Sequence, residues 1–168
     1  MSKVVDKLAE ILGTSRVLTD EQTLKDNSID WIGYRRWERW HGDFLAPRPC
    51  CVAKVNSAEE ISQVFKALAN EDVSIVPSAG RSFVTGGLQT TEGAVVLDAS
   101  SMNEIVSFDT TNFLVTVKCG TPLEYLEGYC NLRGYSDGAF PAVSAAGTNG
   151  GTGGDAQHRA DVIAVRRN

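Results

Sequence analysis

The residues best suited to chemistry are the run Pro77, Ser78, Ala79, Gly80, Arg81 and Ser82, followed by the pair Gly86 and Gly87. Small side chains at this density let main-chain N–H groups approach an anion with nothing in between, as phosphate-cradling loops require. The run follows the β-branched stretch Val73–Val76, so a strand that ends at Pro77 feeds a backbone-exposing loop. Taken alone, the pattern fits a glycine-rich surface connection equally well.

A second stretch, Trp31 to Phe44, reads W-I-G-Y-R-R-W-E-R-W-H-G-D-F and holds all three tryptophans. Interleaved rings and guanidinium groups can stack on a flat ligand or on bases. The reading favoured here is a strap whose rings cover the domain edge while Arg35, Arg36 and Arg39 stay in water. His41 has no partner at metal-ligand spacing and is assigned no role. Cys50, Cys51, Cys119 and Cys130 show no metal or redox spacing, and adjacent Cys50 and Cys51 would face opposite sides of a strand. They are expected to be reduced packing residues.

The elements that must position the loop follow from periodicity. Val4, Val5, Leu8, Ile11 and Leu12 recur at helical spacing and Gly13 is a C-cap, which predicts an opening amphipathic helix before a polar stretch to about Asp30. Pro47 and Pro49 mark a boundary, and Cys50–Val55 reads as a strand. Ser57 and Glu60 form a capping box for a helix with Ile61, Val64, Phe65 and Leu68 on one face, ending near Asn70. With the strand at Val73, this makes a βαβ unit. Beyond the glycines, Ala94–Leu97 is a buried strand, and Ile105–Phe108 with Phe113–Lys118 is a hairpin around Asp109–Asn112. Thr121-Pro122-Leu123-Glu124 is a second capping box, opening a helix with Leu123, Leu126 and Cys130 on one side.

Composition narrows the partners. The chain has 168 residues, of which 42% are apolar and 22% charged, the make-up of a globular protein. A formal net charge of −5 argues against a nucleic-acid partner, because affinity for phosphate backbones rests on Lys and Arg. There is no signal-peptide pattern and no apolar run of membrane-crossing length, so a cytoplasmic location is expected, with no membrane segment.

The order of these elements resembles the flavin-binding domain of the FAD-linked oxidases related to vanillyl-alcohol oxidase and para-cresol methylhydroxylase. The similar features are P-x-x-C-C-V with the S-A-E-E helix, V-P-S-A-G-R-S with its G-G, V-V-L-D-A-S-S-M-N-E-I, and V-T-V-K-C-G-T-P-L-E-Y-L, which together cover about Pro47 to Pro141. Within that group the chain is most similar to the branch holding alkyl-dihydroxyacetonephosphate synthase, bacterial glycolate oxidase and D-lactate dehydrogenase. The resemblance implies an α+β fold: the first subdomain of a two-part FAD-binding domain, with an N-terminal helix and a disordered C-terminal tail. It divides the chain into residues 1–46, the helix and strap; 47–141, a partial FAD-binding domain; and 142–168, a tail outside the family.

It also implies that Pro77 to Ser82, with Gly86 and Gly87, wrap the FAD pyrophosphate through main-chain donors. In relatives with covalent FAD, a histidine of this loop is bonded to the flavin; the matching residue here is Arg81, which cannot form that bond. Non-covalent FAD is therefore expected whether Arg81 serves the cofactor or only steadies the loop.

After Phe140-Pro141 the chain departs from the family, becoming rich in Gly and Ala with no amphipathic period. Back-translation offers a reason: dropping the first base of the Ala142 codon opens a frame that permits P-Q-S-L-P-x-A-Q-M-G-G-L-V-A-T-R-S-I-G-Q, which is similar to the family continuation. A truncating frameshift is thus expected after Pro141, leaving residues 142–168 without inherited function. Two functions stay open. One is the FAD-binding portion of an oxidoreductase of the hydroxy-acid or alcohol oxidation type, inactive without its substrate domain and meeting its small-molecule substrate only in a full-length form. The other is a flavin-binding remnant or module that needs a partner chain, or a fragment of a transferase like alkyl-dihydroxyacetonephosphate synthase.

Overall fold

A computed structural model of the protein describes residues 3–30, 37, 38, 40–42, 46–81, 86–136 and 161–167. The chain forms two compact units, residues 1–78 with 83–99, and residues 79–82 with 100–168.

The first unit opens with helix α1, Lys3–Leu12, whose Val5, Leu8 and Leu12 are buried at helical spacing. Gly13, at φ 86°, stops it in a conformation that costs other residues more. A 3-10 turn over Thr14–Arg16 leads to β1, Val17–Leu18, and then to α2, Glu21–Asn27. Asp20 caps α2 by accepting the Thr23 N–H at 2.9 Å. Strand β2, Cys51–Lys54, and helix α3, Ala58–Leu68, follow. The capping box forms with a twist: Ser57 Oγ accepts the Glu60 N–H at 3.2 Å, but the Glu60 carboxylate accepts from the Asn56 N–H and the Arg16 guanidinium, each at 2.8 Å. Ile61, Val64 and Leu68 are buried on α3, whereas Phe65, expected on the same face, is 43% exposed. The apolar stripe of α3 is narrower than its sequence suggested.

Strands β3, Ile75–Ser78, and β4, Val95–Asp98, complete a four-stranded sheet in the order β1-β2-β4-β3. The expected strand at Val73–Val76 thus sits two residues later and takes in Pro77. That is possible because β3 lies at the sheet edge, where a missing N–H need not face a partner. Both β2 and β3 run parallel to β4, so the βαβ unit exists with β4 inserted between its strands. Val95, Val96 and Leu97 are fully buried, which is why this strand reads as an unbroken apolar run. Residues 3–30 do not stand apart from the unit, since Val17 and Leu18 of β1 pair with Ala53 and Val52.

The second unit contains the hairpin β5, Ile105–Asp109, and β6, Leu114–Val117, and helix α4, Leu123–Asn131. Its core joins Val115 and Val117 to Leu123, Leu126, Cys130 and Val165. The expected capping box at Thr121 does not form. Thr121 is fully buried and its hydroxyl donates to the Glu104 carbonyl at 3.3 Å, so α4 starts after Pro122 with no side-chain cap. Short strands β7, Tyr135–Ser136, β8, Asp161–Ala164, and β9, Arg166–Arg167, complete the unit. Most of the stretch expected to be disordered lies outside the described residues. Its end differs from that expectation: β8 pairs with β6 and β9 with β7, in keeping with the β-forming run D-V-I-A-V.

The strap at residues 31–44 lies mostly outside the described residues. Of its described rings, Trp37 and Trp40 are 63% and 72% exposed, and Trp37 stacks on His41 at 3.9 Å. Among the described residues no helix is long and apolar enough to cross a membrane.

Candidate functional site

The site grows from the carboxyl ends of the parallel strands. Register aligns Lys54 of β2 with Asp98 of β4, and Asp98 with Ser78 of β3, so three strands end at one level. In open sheets with parallel strands, ligands sit beyond these ends, where the chain turns back and leaves backbone groups to be used. The ladder extends one step further through the Ala99 N–H to the Ser78 carbonyl at 2.8 Å and the Val55 N–H to the Asp98 carbonyl at 2.9 Å. Ser78 is therefore held by its main chain at the last rung.

Its side chain is another matter. Ser78 is 6% exposed and its Oγ has no hydrogen-bond partner. A buried hydroxyl left unmade costs about 1–3 kcal/mol, so a donor aimed at nothing is rare unless a ligand or water completes it. This is an observation that fits a bound polar group next to the loop.

Beyond Ser78 the loop continues through half-buried Ala79, Gly80 and Arg81, which group with the second unit. Arg81 has φ 54°, the left-handed region that glycine occupies freely and a long side chain does not. Retaining arginine there costs roughly 1–2 kcal/mol, which points to a use for the side chain or for the backbone direction it enforces. Ser82 lies outside the described residues. Gly86, at φ 82°, and exposed Gly87 belong to the first unit with Pro77 and Ser78.

Residues that the sequence did not single out fasten the far end of the loop. Buried Asp30 accepts the Leu88 N–H at 3.4 Å, and Leu88 itself is fully buried. Two residues on, the Thr90 hydroxyl donates to the Pro47 carbonyl at 2.7 Å. An acid next to the strap and a threonine after the glycines carry no local pattern that would reveal this. Only the fold brings positions 58 apart together.

The cysteines are free, as expected, but Cys50 and Cys51 do not face opposite sides. Cys50 precedes β2 and escapes strand alternation, and the two Sγ atoms lie 3.8 Å apart. Among the described residues no group of three or more His, Cys, Asp or Glu could hold a metal ion.

Comparisons with known proteins place the chain in a family. The model of the FAD binding domain family matches residues 49–162, a range that runs past Pro141. An uncharacterized FAD-linked oxidoreductase of Escherichia coli is 41% identical over 149 residues, covering 88% of this chain and 30% of that protein. The D-2-hydroxyglutarate dehydrogenase of Xanthomonas citri pv. viticola is 28% identical over 160 residues, covering 95% of this chain and 31% of the relative. Among solved structures, an alkyldihydroxyacetonephosphate synthase superposes with a TM-score of 0.80 at 19% identity, over 89% of this chain and 28% of that one. The chain thus spans about 30% of the length of these two curated relatives. With its mixed helices and strands, its sheet order and its matched range, the chain belongs to the FAD binding domain family and carries the FAD-binding portion of an FAD-linked oxidoreductase.

Proposed function

We propose that the loop after β3 is the pyrophosphate half of the FAD site, with Pro77, Ser78, Ala79, Gly80, Arg81, Ser82, Gly86 and Gly87 as its cofactor-binding residues. The observation that carries this reading is the buried Ser78 Oγ without a partner at the carboxyl end of β3. A phosphate oxygen would accept its proton, and the small residues that follow would offer main-chain N–H groups without side chains in the way. FAD is held non-covalently, because Arg81 stands where covalent relatives carry histidine and a guanidinium does not bond to the flavin ring.

The parent activity is oxidation of a hydroxy acid or alcohol with hydride transfer to the flavin, the substrate being held by a portion beyond this chain. The D-2-hydroxyglutarate dehydrogenase relatives support the hydroxy-acid class. Residues 47–141 are the working part, residues 1–46 support it, and 142–168 add no site residue. The protein acts in the cytoplasm on small molecules and not on nucleic acid, in keeping with its net charge of −5 and free cysteines.

Titration of the purified chain with FAD tests the site. Quenching of flavin fluorescence is expected, and Gly80→Asp should weaken it by about 100-fold or more by setting a carboxylate against the pyrophosphate. Absence of binding at high micromolar FAD by a folded chain would sink the cofactor site. Denaturation should release all flavin into the filtrate; flavin that stays with the protein would overturn the non-covalent assignment.

A further inference from the structure

One face of the first unit's sheet changes character at its carboxyl end. Val52 of β2, Val96 of β4 and Val76 of β3 stand on one rung, and Leu24 of α2 packs with Val52 and Val96. Side chains two residues apart on a strand share a face, and register partners share it across strands. The next rung on that face is Lys54, Asp98 and Ser78. Three strands thus pass from an apolar row to a cation, an acid and a hydroxyl at the end where parallel sheets take their ligands.

Lys54 differs from the other lysines. Lys3 and Lys7 pair with Glu71, Lys25 with Glu21 and Lys118 with Glu104. Lys54 and Lys66 make no ion pair among the described residues, and of these two Lys66 is exposed whereas Lys54 is half-buried. Asp98 is the rung neighbour of Lys54, yet no ion pair joins them. Withdrawing an ammonium from water without a counter-charge is unfavourable, so its place in the row is accounted for by an anion that a ligand brings.

Neighbouring strands lie about 4.8 Å apart, which sets the Lys54 and Ser78 backbones about 10 Å apart with Asp98 between them. The long flexible stem of a lysine and a diphosphate group together span such a gap. The Asp98 carboxylate repels an anion laid over the row, so the row accepts one only with a cation beside it. Ser78 Oγ, buried and without a partner, marks the other end of the ligand.

We propose that Lys54 is a further cofactor-binding residue, whose ammonium pairs with the FAD diphosphate across the row from Ser78. This rests on the loop after β3 being the diphosphate site, and it adds a charge from a strand outside that loop.

Fluorescence titration of the full chain with FAD, run beside melting curves of the cofactor-free chain, tests this. Lys54→Met keeps the stem and removes the charge. It should weaken FAD about tenfold or more and leave the Tm of the cofactor-free chain unchanged. Lys54→Arg, which restores a cation, should bind within about threefold of the parent. If folded Lys54→Met binds FAD as the parent does while Ser78→Ala binds it more weakly, the lysine assignment is overturned and the loop stands. Equal losses in Lys54→Met and Lys54→Arg, or a loss matched by a fall in the cofactor-free Tm, would also overturn it by assigning Lys54 to packing. A parent chain that binds no FAD sinks the loop reading itself, and the lysine with it.

Discussion

Two loops of this chain end a strand and pass through a non-glycine residue at positive φ, and they settle their polar groups in opposite ways. In the hairpin turn after β5, one Asp109 oxygen accepts the Thr111 and Asn112 N–H groups at 2.9 and 3.0 Å and the other accepts Asn112 Nδ2 at 2.7 Å. Phe113 then takes φ 59° and the chain returns as β6. In the loop after β3, Arg81 takes φ 54°, yet Ser78 Oγ is buried with no partner. The first turn satisfies its Asp109 side chain with its own neighbours. The second leaves the buried Ser78 Oγ without a partner, an atom from which folding alone gains nothing.

If that contrast marks structure against function, substitutions in the two loops must separate stability from binding. The largest effect is that of Gly80→Asp on FAD affinity, and no hairpin substitution should approach it. Ser78→Ala comes next and should act with opposite signs on the two readouts. Removing a buried hydroxyl that has no partner should stabilise the cofactor-free chain by about 1 kcal/mol. The same change should weaken FAD roughly tenfold, since one hydrogen bond to a charged group is lost. Melting curves with and without FAD, run beside a fluorescence titration, measure both; a Ser78→Ala chain that is destabilised without FAD would mean the hydroxyl already had a partner.

The loop after β3 was also the harder of the two to read. Asp109 announces its turn locally, because an Asx side chain bonds the backbone two and three residues on. Strand β4 and helices α1 and α3 were legible for a similar reason: burial of one face or of both writes a period into the sequence. The glycines at 80, 86 and 87 signalled a backbone-exposing loop, but nothing local told which atom would be left over. That depends on β4 reaching Ser78 through the Ala99 N–H and leaving Oγ buried. The anchoring of Leu88 by Asp30 and of Thr90 by Pro47 was invisible for the same cause, since long-range hydrogen bonds leave no periodic trace. Thr121 shows the converse error, a correct capping pattern overruled when the hydroxyl found the Glu104 carbonyl instead. Cys50 and Cys51 show another: alternation holds within a strand, and Cys50 lies just outside it.

Arg81→Gly is the next smaller test. Glycine removes the left-handed penalty, so the cofactor-free chain should gain up to about 1 kcal/mol, less the entropy that glycine returns to the unfolded chain. If the arginine serves the flavin site, FAD binding should weaken even as stability holds or rises. Equal FAD affinity in Arg81→Gly would assign the residue to the loop backbone alone.

The smallest effect belongs to the hairpin and is the one whose pH dependence has a definite sign. The bonds from Asn112, then from Thr111, hold the Asp109 carboxyl below its usual range. A folded-state pKa below the unfolded one means that the carboxylate favours folding above the unfolded value, about 4, and that this contribution is lost as pH falls through the lower folded value. Asp109→Ala should therefore lower Tm by a few degrees at pH 7. The gap to the parent should narrow below pH ~4 and close once the parent carboxyl is protonated. FAD affinity should not change at any pH where both chains are folded. A gap that persists undiminished at the acid end would mean that Asp109 acts through packing and not through its charge, and an accompanying loss of FAD would erase the distinction between the two loops.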